Sequence, residues 1–259
     1  MQELTLFDLD LPPSAKEKIE LFRDHTLQGG ACFTLEEISK ITAYSFVRKH
    51  HYLGSAKFFS MYNYGIRCEG DLVGVATFSL PQGTSAADGW FGLKADDSTV
   101  LELSRLAMLP ELNGTNATSY LLANSIKELK KKGIRAVITL ADASRHVGSI
   151  YQVCNFKYYG TADDKSDFYE YPSGKKNVRG ETKNRKGVWV PRTKKYRYAY
   201  IMDKHLKCRY TEQERPKKGE TINRVCCGGT GIVKDNRFGD TYTCPVCTGK
   251  LVRLEAPCE

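Results

Sequence analysis

The middle of the chain alternates between apolar segments typical of strands and amphipathic segments typical of helices, and this alternation constrains the fold most. Val100–Leu109 predicts a strand, and a polar loop joins it to a helix with Leu122, Ile126 and Leu129 on one face. Three further segments predict a strand, a short helix and a strand: Arg135–Leu140, His146–Cys154 and Phe156–Tyr159. This order predicts an α/β fold with a central mixed sheet flanked by helices.

An antiparallel meander is predicted ahead of this α/β segment. Phe59–Arg67 and Leu72–Leu80 are rich in β-branched and aromatic residues, and Cys68-Glu-Gly-Asp71 between them is typical of a hairpin turn. The hydrophobic periodicity fades after about Tyr171. One more strand is predicted at Tyr196–Met202.

Two segments near the N-terminus match the capping box, in which a hydroxyl and an acid three residues later satisfy free amides at a helix start. They are Ser14-Ala-Lys-Glu17 and Thr34-Leu-Glu-Glu37, and they predict helices over about 15–24 and 35–49. Together with six cysteines after residue 207, these features predict three parts of the chain. The parts are an N-terminal helical extension at 1–30, an α/β domain at 31–205 and a small cysteine-rich module at 206–259.

The positive charge of the chain is concentrated in one segment. Its 39 Lys and Arg exceed its 30 Asp and Glu by nine, and the segment from Gly174 to Tyr198 holds ten of the basic residues against one acid. Such a segment favours a polyanionic partner, and rings within it could stack on exposed bases. The rings are Trp189, Tyr196, Tyr198 and Tyr200. The residues predicted to contact double-stranded DNA are Lys183, Arg185, Lys186, Arg192, Lys194, Lys195 and Arg197. A solvated loop is the alternative interpretation.

Composition excludes several classes of protein. With 41% hydrophobic and 27% charged residues, the chain is neither disordered nor fibrous. Its longest nearly apolar stretch, Leu72–Leu80, is too short to span a membrane, and its first residues lack the pattern of a signal peptide. Nine cysteines without an export signal indicate reduced thiols. We therefore expect a cytoplasmic location and no membrane partner.

The order of elements resembles the GNAT acyltransferase fold. The loop Glu111-Leu-Asn-Gly-Thr-Asn116 lies between a strand and a helix, where such enzymes hold the pyrophosphate of coenzyme A on backbone amides. The resemblance implies acetyl-coenzyme A or a related acyl donor, bound at Asn113, Gly114, Thr115 and Asn116. The usual signature has Gln or Arg at the position of Glu111 and a small residue at that of Asn116, so the chain keeps only its central glycine.

Five runs resemble the Mom family of phage proteins: His51–Ser55, Gly70–Phe78, Glu102–Leu106, Ala141–Gln152 and Lys195–Tyr200. Members of this family modify adenine in DNA by methylcarbamoylation of its exocyclic amine, which protects phage DNA from restriction. The resemblance implies a transferase that acts on double-stranded DNA in the cytoplasm of a bacterial host.

The run Ala141–Gln152 supplies three candidate catalytic residues, Asp142, His146 and Tyr151. Asp142 follows a predicted strand, at the place where open α/β sheets expose reactive groups. Arg105 on a neighbouring strand is a fourth candidate, and the family resemblance adds Tyr52.

A divalent metal such as iron is a further candidate cofactor, because the imidazole of His51 and the carboxylate of Asp142 suit it. Each candidate also has a structural alternative. Asp142 could cap a helix, His146 could cap or lie in the core, and Arg105 could pair with Glu102 or Asp142. His51 could belong to a solvent-facing helix end.

The C-terminal cysteines resemble the CxxCxGxG repeats of the DnaJ-type zinc module. Cys244 and Cys247 have the spacing with which two thiolates bind one tetrahedral zinc ion, and Cys227 begins a second, glycine-rich repeat. Arg224 stands where that repeat needs its first cysteine, and Cys226 lies next to Cys227. Cys208 and His205 are therefore candidates for the fourth ligand of a structural zinc ribbon. A metal-free tail is the alternative.

Two other functions fit the same residues. One is an acetyl-coenzyme A-dependent N-acetyltransferase that acts on protein, RNA or a small molecule, and the other is a non-catalytic zinc-containing DNA-binding protein. Glu3-Leu-Thr-Leu-Phe7 resembles the peptide that docks on bacterial sliding clamps, so a clamp is a candidate partner.

Overall fold

The structure is a computed structural model. It describes residues 33–52, 58–81, 86–94, 97–162, 166–177, 185–217, 230–234, 240–248, 250 and 252–254. Several predicted features lie outside them: helix 15–24, the clamp-like peptide Glu3–Phe7, Lys183, Cys226 and Cys227.

Strands predominate among the elements of the described chain. The first six are β1 (Phe33–Glu37), β2 (Tyr62–Cys68), β3 (Asp71–Ser79), β4 (Val100–Met108), β5 (Ala136–Asp142) and β6 (Lys157–Thr161). The next four are β7 (Ser166–Glu170), β8 (Lys175–Asn177), β9 (Gly187–Pro191) and β10 (Lys195–Ile201). The last three are β11 (Ile232–Lys234), β12 (Thr241–Thr243) and β13 (Arg253–Leu254). The helices are α1 (Lys40–His50), α2 (Ala86–Phe91), α3 (Ala117–Lys131), α4 (Ser149–Val153) and α5 (Pro245–Thr248).

The large sheet has seven strands in the order β1-β2-β3-β4-β5-β10-β6. Strands β1 to β4 form an antiparallel meander, and β4 pairs with β5 in parallel through the crossover helix α3. On α3 the predicted apolar face is confirmed, since Leu122, Ile126 and Leu129 are buried. The predicted α/β fold with a mixed central sheet is therefore confirmed.

The predicted helix over 35–49 begins too early. Phe33–Glu37 is an edge strand whose backbone pairs with β2, with Leu35 opposite Ile66. The helix starts only at Lys40, where Ser39 Oγ accepts a hydrogen bond from the amide of Thr42 at 3.0 Å. Because Ser39 caps the helix and strand pairing satisfies the preceding backbone, the capping-box match at Thr34 has no role.

The predicted hairpin is confirmed, with a two-residue turn between β2 and β3. Glu69 and Gly70 both adopt positive φ, at 50° and 88°. Two left-handed residues match the right-handed twist of the flanking strands, which is why short hairpins favour this turn.

Strand β4 carries the irregularity that matters most for the candidate site. Thr77 of β3 pairs with Arg105, but the next residue, Phe78, pairs with Leu103, so Ser104 is an extra residue in β4. Such a bulge bends a strand and redirects its side chains. The pairing of β4 with β5 also stops at Glu102, although β4 continues to Met108.

The chain contacts divide it into two compact units. The first holds the residues up to Thr139, Ile150–Tyr159 and Tyr198–Gln213, and the second holds Leu140–Ser149, Gly160–Arg197 and the residues from Glu214 onward. The ends of the strands β5, β6 and β10 therefore belong to the second unit.

The second unit contains two small sheets that the fading periodicity of the sequence did not predict. One has the order β8-β7-β9 and the other β11-β12-β13. Val188 and Val190 of β9 share a hydrophobic core with Val233, Tyr242 and Cys244. Residues of the predicted cysteine-rich module thus pack against strands from the basic segment.

In the part of the chain that the structure describes, no helix is long and apolar enough to cross a membrane.

Candidate functional site

Arg105 is the most constrained candidate residue of the first unit. It follows the bulge at Ser104, donates a hydrogen bond from Nη1 to the Ser104 carbonyl at 2.6 Å, and lies over the ring of Phe58 at 5.4 Å. Its Nε is buried without a hydrogen-bond partner among the described residues. Burial lowers the pKa of Arg105, although Tyr52 and Glu102 oppose this. A buried donor without a partner is costly, so this guanidinium is suited to an incoming acceptor.

Tyr52 lies beside this arginine at the end of α1. It is 51% exposed, and its ring stacks on that of His51 with the centroids 4.4 Å apart. Its phenol acts electrostatically on both Arg105 and Tyr151. The structure therefore brings Tyr52, Arg105 and Tyr151 together. Tyr52 is not a core aromatic, and His51 is its stacking partner at the helix end.

Tyr151 on α4 is the buried member of this group. Burial raises its pKa strongly, which a hydrogen bond with Thr139 of β5 partly offsets. The ring packs against Phe156 and Tyr198. A phenol with a raised pKa stays protonated at neutral pH, so Tyr151 can donate a hydrogen bond but is a poor base.

Asp142 is the best-defined candidate of the second unit. Its Oδ2 lies 2.6 Å from Lys195 Nζ, and its Oδ1 accepts hydrogen bonds from the amide and the hydroxyl of Ser144 at 3.1 and 2.8 Å. Burial acts to raise the pKa of Asp142, but the bonds from Lys195 and Ser144 outweigh it, so the net shift is downward. The carboxylate is therefore ionised at neutral pH, an acceptor rather than a strong base.

His146 supports the turn that follows Asp142. Its amide donates to the Asp142 carbonyl at 3.1 Å, and its Nδ1 accepts from the amide of Gly148 at 3.1 Å. Burial lowers the pKa of His146, against the opposing effect of Asp142. A neutral imidazole whose Nδ1 accepts a hydrogen bond carries its proton on Nε2. His146 thus has a structural contact and one ring donor left for other partners.

The predicted coenzyme A loop lies at the start of the 15-residue helix α3, as expected. Thr115 organises it, because its Oγ1 donates to the Leu112 carbonyl at 2.7 Å and accepts from the amide of Ala117 at 3.3 Å. Asn116 makes no side-chain cap, and Gly114 has a φ of 84° with open space where a Cβ would stand. The loop is therefore built from local bonds, and a helix N-terminus beside it suits an anion.

A cleft of about 680 Å³ runs along α3 in the same unit. It starts at Asn116, and Lys127 and Lys130 line it on α3, while Cys154 and Tyr200 line the opposite side. Its volume is typical of pockets for small molecules and cofactors.

The basic residues predicted to bind DNA differ in their surroundings. Arg185 pairs with Glu170 at 3.3 Å, Arg192 with Asp167 at 2.5 Å and Lys195 with Asp142. Lys186 is exposed, and Lys194 and Arg197 are partly exposed. Each described member reaches the surface at least in part, as a DNA contact requires.

Among the predicted stacking residues, Tyr196 and Tyr198 are wrong. Both are buried, because inward-facing positions of β10 place them in the core. Trp189 is 50% exposed on β9, where its ring packs against Phe168 at 5.4 Å. Tyr200 is partly exposed, with its ring 5.6 Å from that of Phe156, so Trp189 and Tyr200 remain the candidate rings for stacking on a base.

The candidate metal ligands differ in their surroundings. Cys244 is buried at the end of β12 and Cys247 is exposed on α5, one turn later. Cys208 packs against the core of the first unit, and burial raises the pKa of its thiol. Within the described ranges, no group of three or more His, Cys, Asp or Glu side chains could hold a metal ion. Zinc and iron both stay predictions.

A family comparison assigns the chain. The Mom protein family matches residues 32–217, which include every candidate catalytic residue described above. The chain belongs to the Mom family. Among curated proteins it has no match.

The Mom-family chain also has remote similarity to solved acetyltransferases. They include the ribosomal-protein-S18-alanine N-acetyltransferase from Escherichia coli, with 14% identity over 66% of this chain and 94% of that one and a TM-score of 0.41. An IAA acetyltransferase from Bacillus cereus has 16% identity over 65% and 99% and a TM-score of 0.42. A GNAT acetyltransferase from Elizabethkingia anophelis with bound acetyl-CoA has 14% identity over 66% and 99% and a TM-score of 0.42. These similarities are too remote to assign a substrate or cofactor.

Sequence reasoning missed three contributors to the site. Ser144 binds Asp142, and Thr139 binds Tyr151. Short hydroxyl residues near a strand end are common, so neither gives a signal in the sequence. Asp167 is a buried acid on β7, seven residues before the basic segment begins. Its sequence neighbours show no apolar alternation, so no pattern indicated that its carboxylate is buried.

Proposed function

We propose that the chain is a DNA-modifying transferase that adds a carbamoylmethyl group to the exocyclic amine of adenine. The match to the Mom family across residues 32–217 carries this proposal. The pattern of charge supports it, because the basic residues are concentrated in one segment that reaches the surface.

The reaction needs an activated carbamoylmethyl donor, that is, a molecule with a –CH2–CO–NH2 group on a leaving group. The amine nitrogen forms a bond to the methylene carbon, the leaving group departs with the electrons of its own bond, and the amine gives up one proton. Ionised Asp142 would orient the amine by accepting a hydrogen bond from it, since its lowered pKa makes it a weak base. Buried Arg105 of the first unit has an Nε donor without a hydrogen-bond partner among the described residues, so it is the second residue whose role in modification substitution tests.

Mass spectrometry of nucleosides tests the proposal. Plasmid DNA from cells that express the chain should yield an adenine nucleoside heavier by one carbamoylmethyl group, and DNA from cells that express Asp142→Asn should not. Unmodified adenine from a folded, expressed wild-type protein would contradict the proposed function.

A second candidate is an acetyl-coenzyme A-dependent N-acetyltransferase. The cleft along α3, which begins at the predicted coenzyme A loop, favours it. Tight coenzyme A binding without affinity for DNA would support this second function over the first.

A further inference from the structure

A cavity of about 320 Å³ lies in the second unit, beside the sheet of β7, β8 and β9. Its wall carries three cations, Lys176, Arg192 and Lys195, and two carboxylates, Asp142 and Asp167. The remaining lining is mostly apolar, with Tyr169, Val190, Pro191 and Val246 among its members. The ionised groups of the wall therefore leave one positive charge in excess next to a low-polarity surface, where charge interactions are strong.

Asp167 organises the two cations that come from the small sheet. Its side chain is only 7% exposed, and each of its carboxylate oxygens binds one cation at 2.5 Å: Oδ1 binds Arg192 Nε and Oδ2 binds Lys176 Nζ. The two cations are far more exposed, at 40% and 45%. One buried anion thus fixes two cations that face outward.

This arrangement has the geometry of an anion clamp. A single buried carboxylate cannot neutralise two cations, and it restricts both side chains before any ligand arrives, which lowers the entropic cost of binding. Arg192 uses Nε for Asp167, which leaves the donors on its two terminal nitrogens for phosphate oxygens, and its side chain is 40% exposed.

We propose that Lys176 and Arg192 bind one phosphodiester group of the DNA backbone at this cavity, with Asp167 as the residue that positions them. The inference rests on the proposed function, because it takes DNA as the substrate. Lys176 lies in the basic segment but not among the residues predicted to contact DNA, and Asp167 lies outside that segment, since the sequence does not show which basic residues share an acid. Lys195 links the clamp to Asp142 across the same cavity, so the bound phosphate lies close to the carboxylate that orients the amine.

The sign of one substitution separates a clamp from general attraction. Asp167→Asn adds one positive charge to a basic surface, so simple electrostatics predicts tighter DNA binding. The clamp predicts weaker binding, by on the order of tenfold, because both cations lose their fixed positions. Glu170→Gln is the matched control: it removes an acid from the same strand, where Glu170 pairs with Arg185, and should leave the affinity equal or higher.

The measurement is the affinity of each purified full-length variant for duplex DNA across a series of salt concentrations, with thermal unfolding as the check of the fold. Asp167→Asn that stays folded and binds as tightly as Glu170→Gln would overturn the proposal. If Asp167→Asn does not fold, Lys176→Gln and Arg192→Gln decide, because both side chains are substantially exposed. The slope of the logarithm of the DNA association constant against the logarithm of salt concentration is negative. The double variant should make it less negative by about 0.9, the value for one lost phosphate contact in duplex DNA. An unchanged slope would also overturn the proposal.

Two further measurements identify the source of the bound phosphate and test the proposed function separately. Inorganic phosphate and coenzyme A are added as competitors, and the clamp should discriminate against both in favour of duplex DNA. Binding of either that depends on Lys176 and Arg192, with DNA affinity unaffected by their loss, would assign the cavity to a small phosphate ligand and overturn the DNA assignment. Nucleoside analysis of the same samples is an independent measurement. If adenine is unmodified but DNA binding still depends on Lys176 and Arg192, the proposed function is wrong and the clamp is retained.

Discussion

Lys195 Nζ lies 2.6 Å from Oδ2 of Asp142, although the two residues are 53 positions apart in the chain. The carboxylate at the end of β5 is thus held by a side chain of β10, its neighbour in the sheet. This contact and the bonds from Ser144 lower the pKa of Asp142, although burial acts to raise it. The same pair links the predicted catalytic residue to the predicted DNA-binding segment.

Substitution of Asp142 by Asn should abolish adenine modification and leave the fold intact. The amide keeps the shape of the side chain but loses the charge that the amine and Lys195 need. Modified nucleoside is measured by mass spectrometry and the fold by circular dichroism. Asp203→Asn is a matched control, because Asp203 also pairs with a basic residue, Arg135 at 2.9 Å, and it should retain full modification. Normal modification by Asp142→Asn would remove this residue from the mechanism.

Substitution of Lys195 by Met should make the protein less stable at neutral pH than at acidic pH, relative to wild type. The folded-state pKa of Asp142 is lowered, so the pair contributes stability above the usual Asp pKa of about 3.9 and loses it as the pH falls through the folded value. The expected loss at pH 7 is about 1 kcal/mol, since Lys195 is partly exposed. Urea unfolding at several pH values measures it. The ion pair would be contradicted if the difference in the free energy of unfolding between wild type and Lys195→Met stayed constant from pH 7 to below the usual pKa range of Asp.

Substitution of Arg105 by Lys should not preserve modification. The Nε of Arg105 is a buried donor without a partner among the described residues, and lysine has no donor at that position. Both Arg105→Lys and Arg105→Met should lose modification while unfolding at a similar temperature to wild type. Arg67→Met, on strand β2 of the same sheet, is the control and should remain active. Activity in Arg105→Lys would mean that charge alone suffices.

Substitution of Ser39 by Ala should destabilise the protein by about 1 kcal/mol, the usual effect of losing a helix cap. Thr34→Ala, at the position of the false capping box, should change the free energy of unfolding by less than about 0.5 kcal/mol, because Thr34 is an exposed strand residue. Chemical unfolding of both variants gives the two values. Equal losses would mean that the helix starts earlier than Lys40.

Substitution of Cys247 by Ser should lower the zinc content of the purified protein, if Cys244 and Cys247 form the predicted zinc knuckle. Cys247 is exposed, so the change itself disturbs little packing. Cys154→Ser is the control, since burial raises the pKa of the Cys154 thiol to about 11 and keeps it protonated. Elemental analysis measures the zinc. Equal zinc in wild type and Cys247→Ser would exclude Cys247 as a ligand.

Sequence patterns predicted the elements whose stability is local or strongly periodic. The β2–β3 hairpin has its turn residues side by side, and α3 has its apolar face and its terminal glycine within one segment. Strand β1 was misassigned because its pairing partner is about 30 residues away and its own residues fit a helix start. Strands β7 and β9 were missed because each has only five residues, and β7 mixes charged residues with buried ones such as Phe168.

The candidate site shows the same division. Asp142 could be predicted, because a polar residue directly after an apolar strand is a local signal. Its partner Lys195 could be placed only in a basic segment, since the contact depends on strand order in the sheet. Arg105 could be predicted as a candidate from the sequence. The bulge that sets the direction of its side chain could not, because it comes from a one-residue shift in the register of β3 with β4. The clamp of Asp167 depends likewise on the register of β7, β8 and β9.

Strands β6 and β10 are neighbours in the large sheet, and the amide of Ala162 donates to the carbonyl of Lys195 at 2.7 Å. The chain therefore leaves the large sheet and returns to it at one point, and residues 163–194 form an insertion whose two ends are adjacent. Insertions of this kind can change length, charge or sequence without altering the register of the strands that flank them. Related proteins could vary the length and charge of this segment without moving Asp142 at the end of β5, provided that Val188 and Val190 keep the core that they share with Val233 and Tyr242.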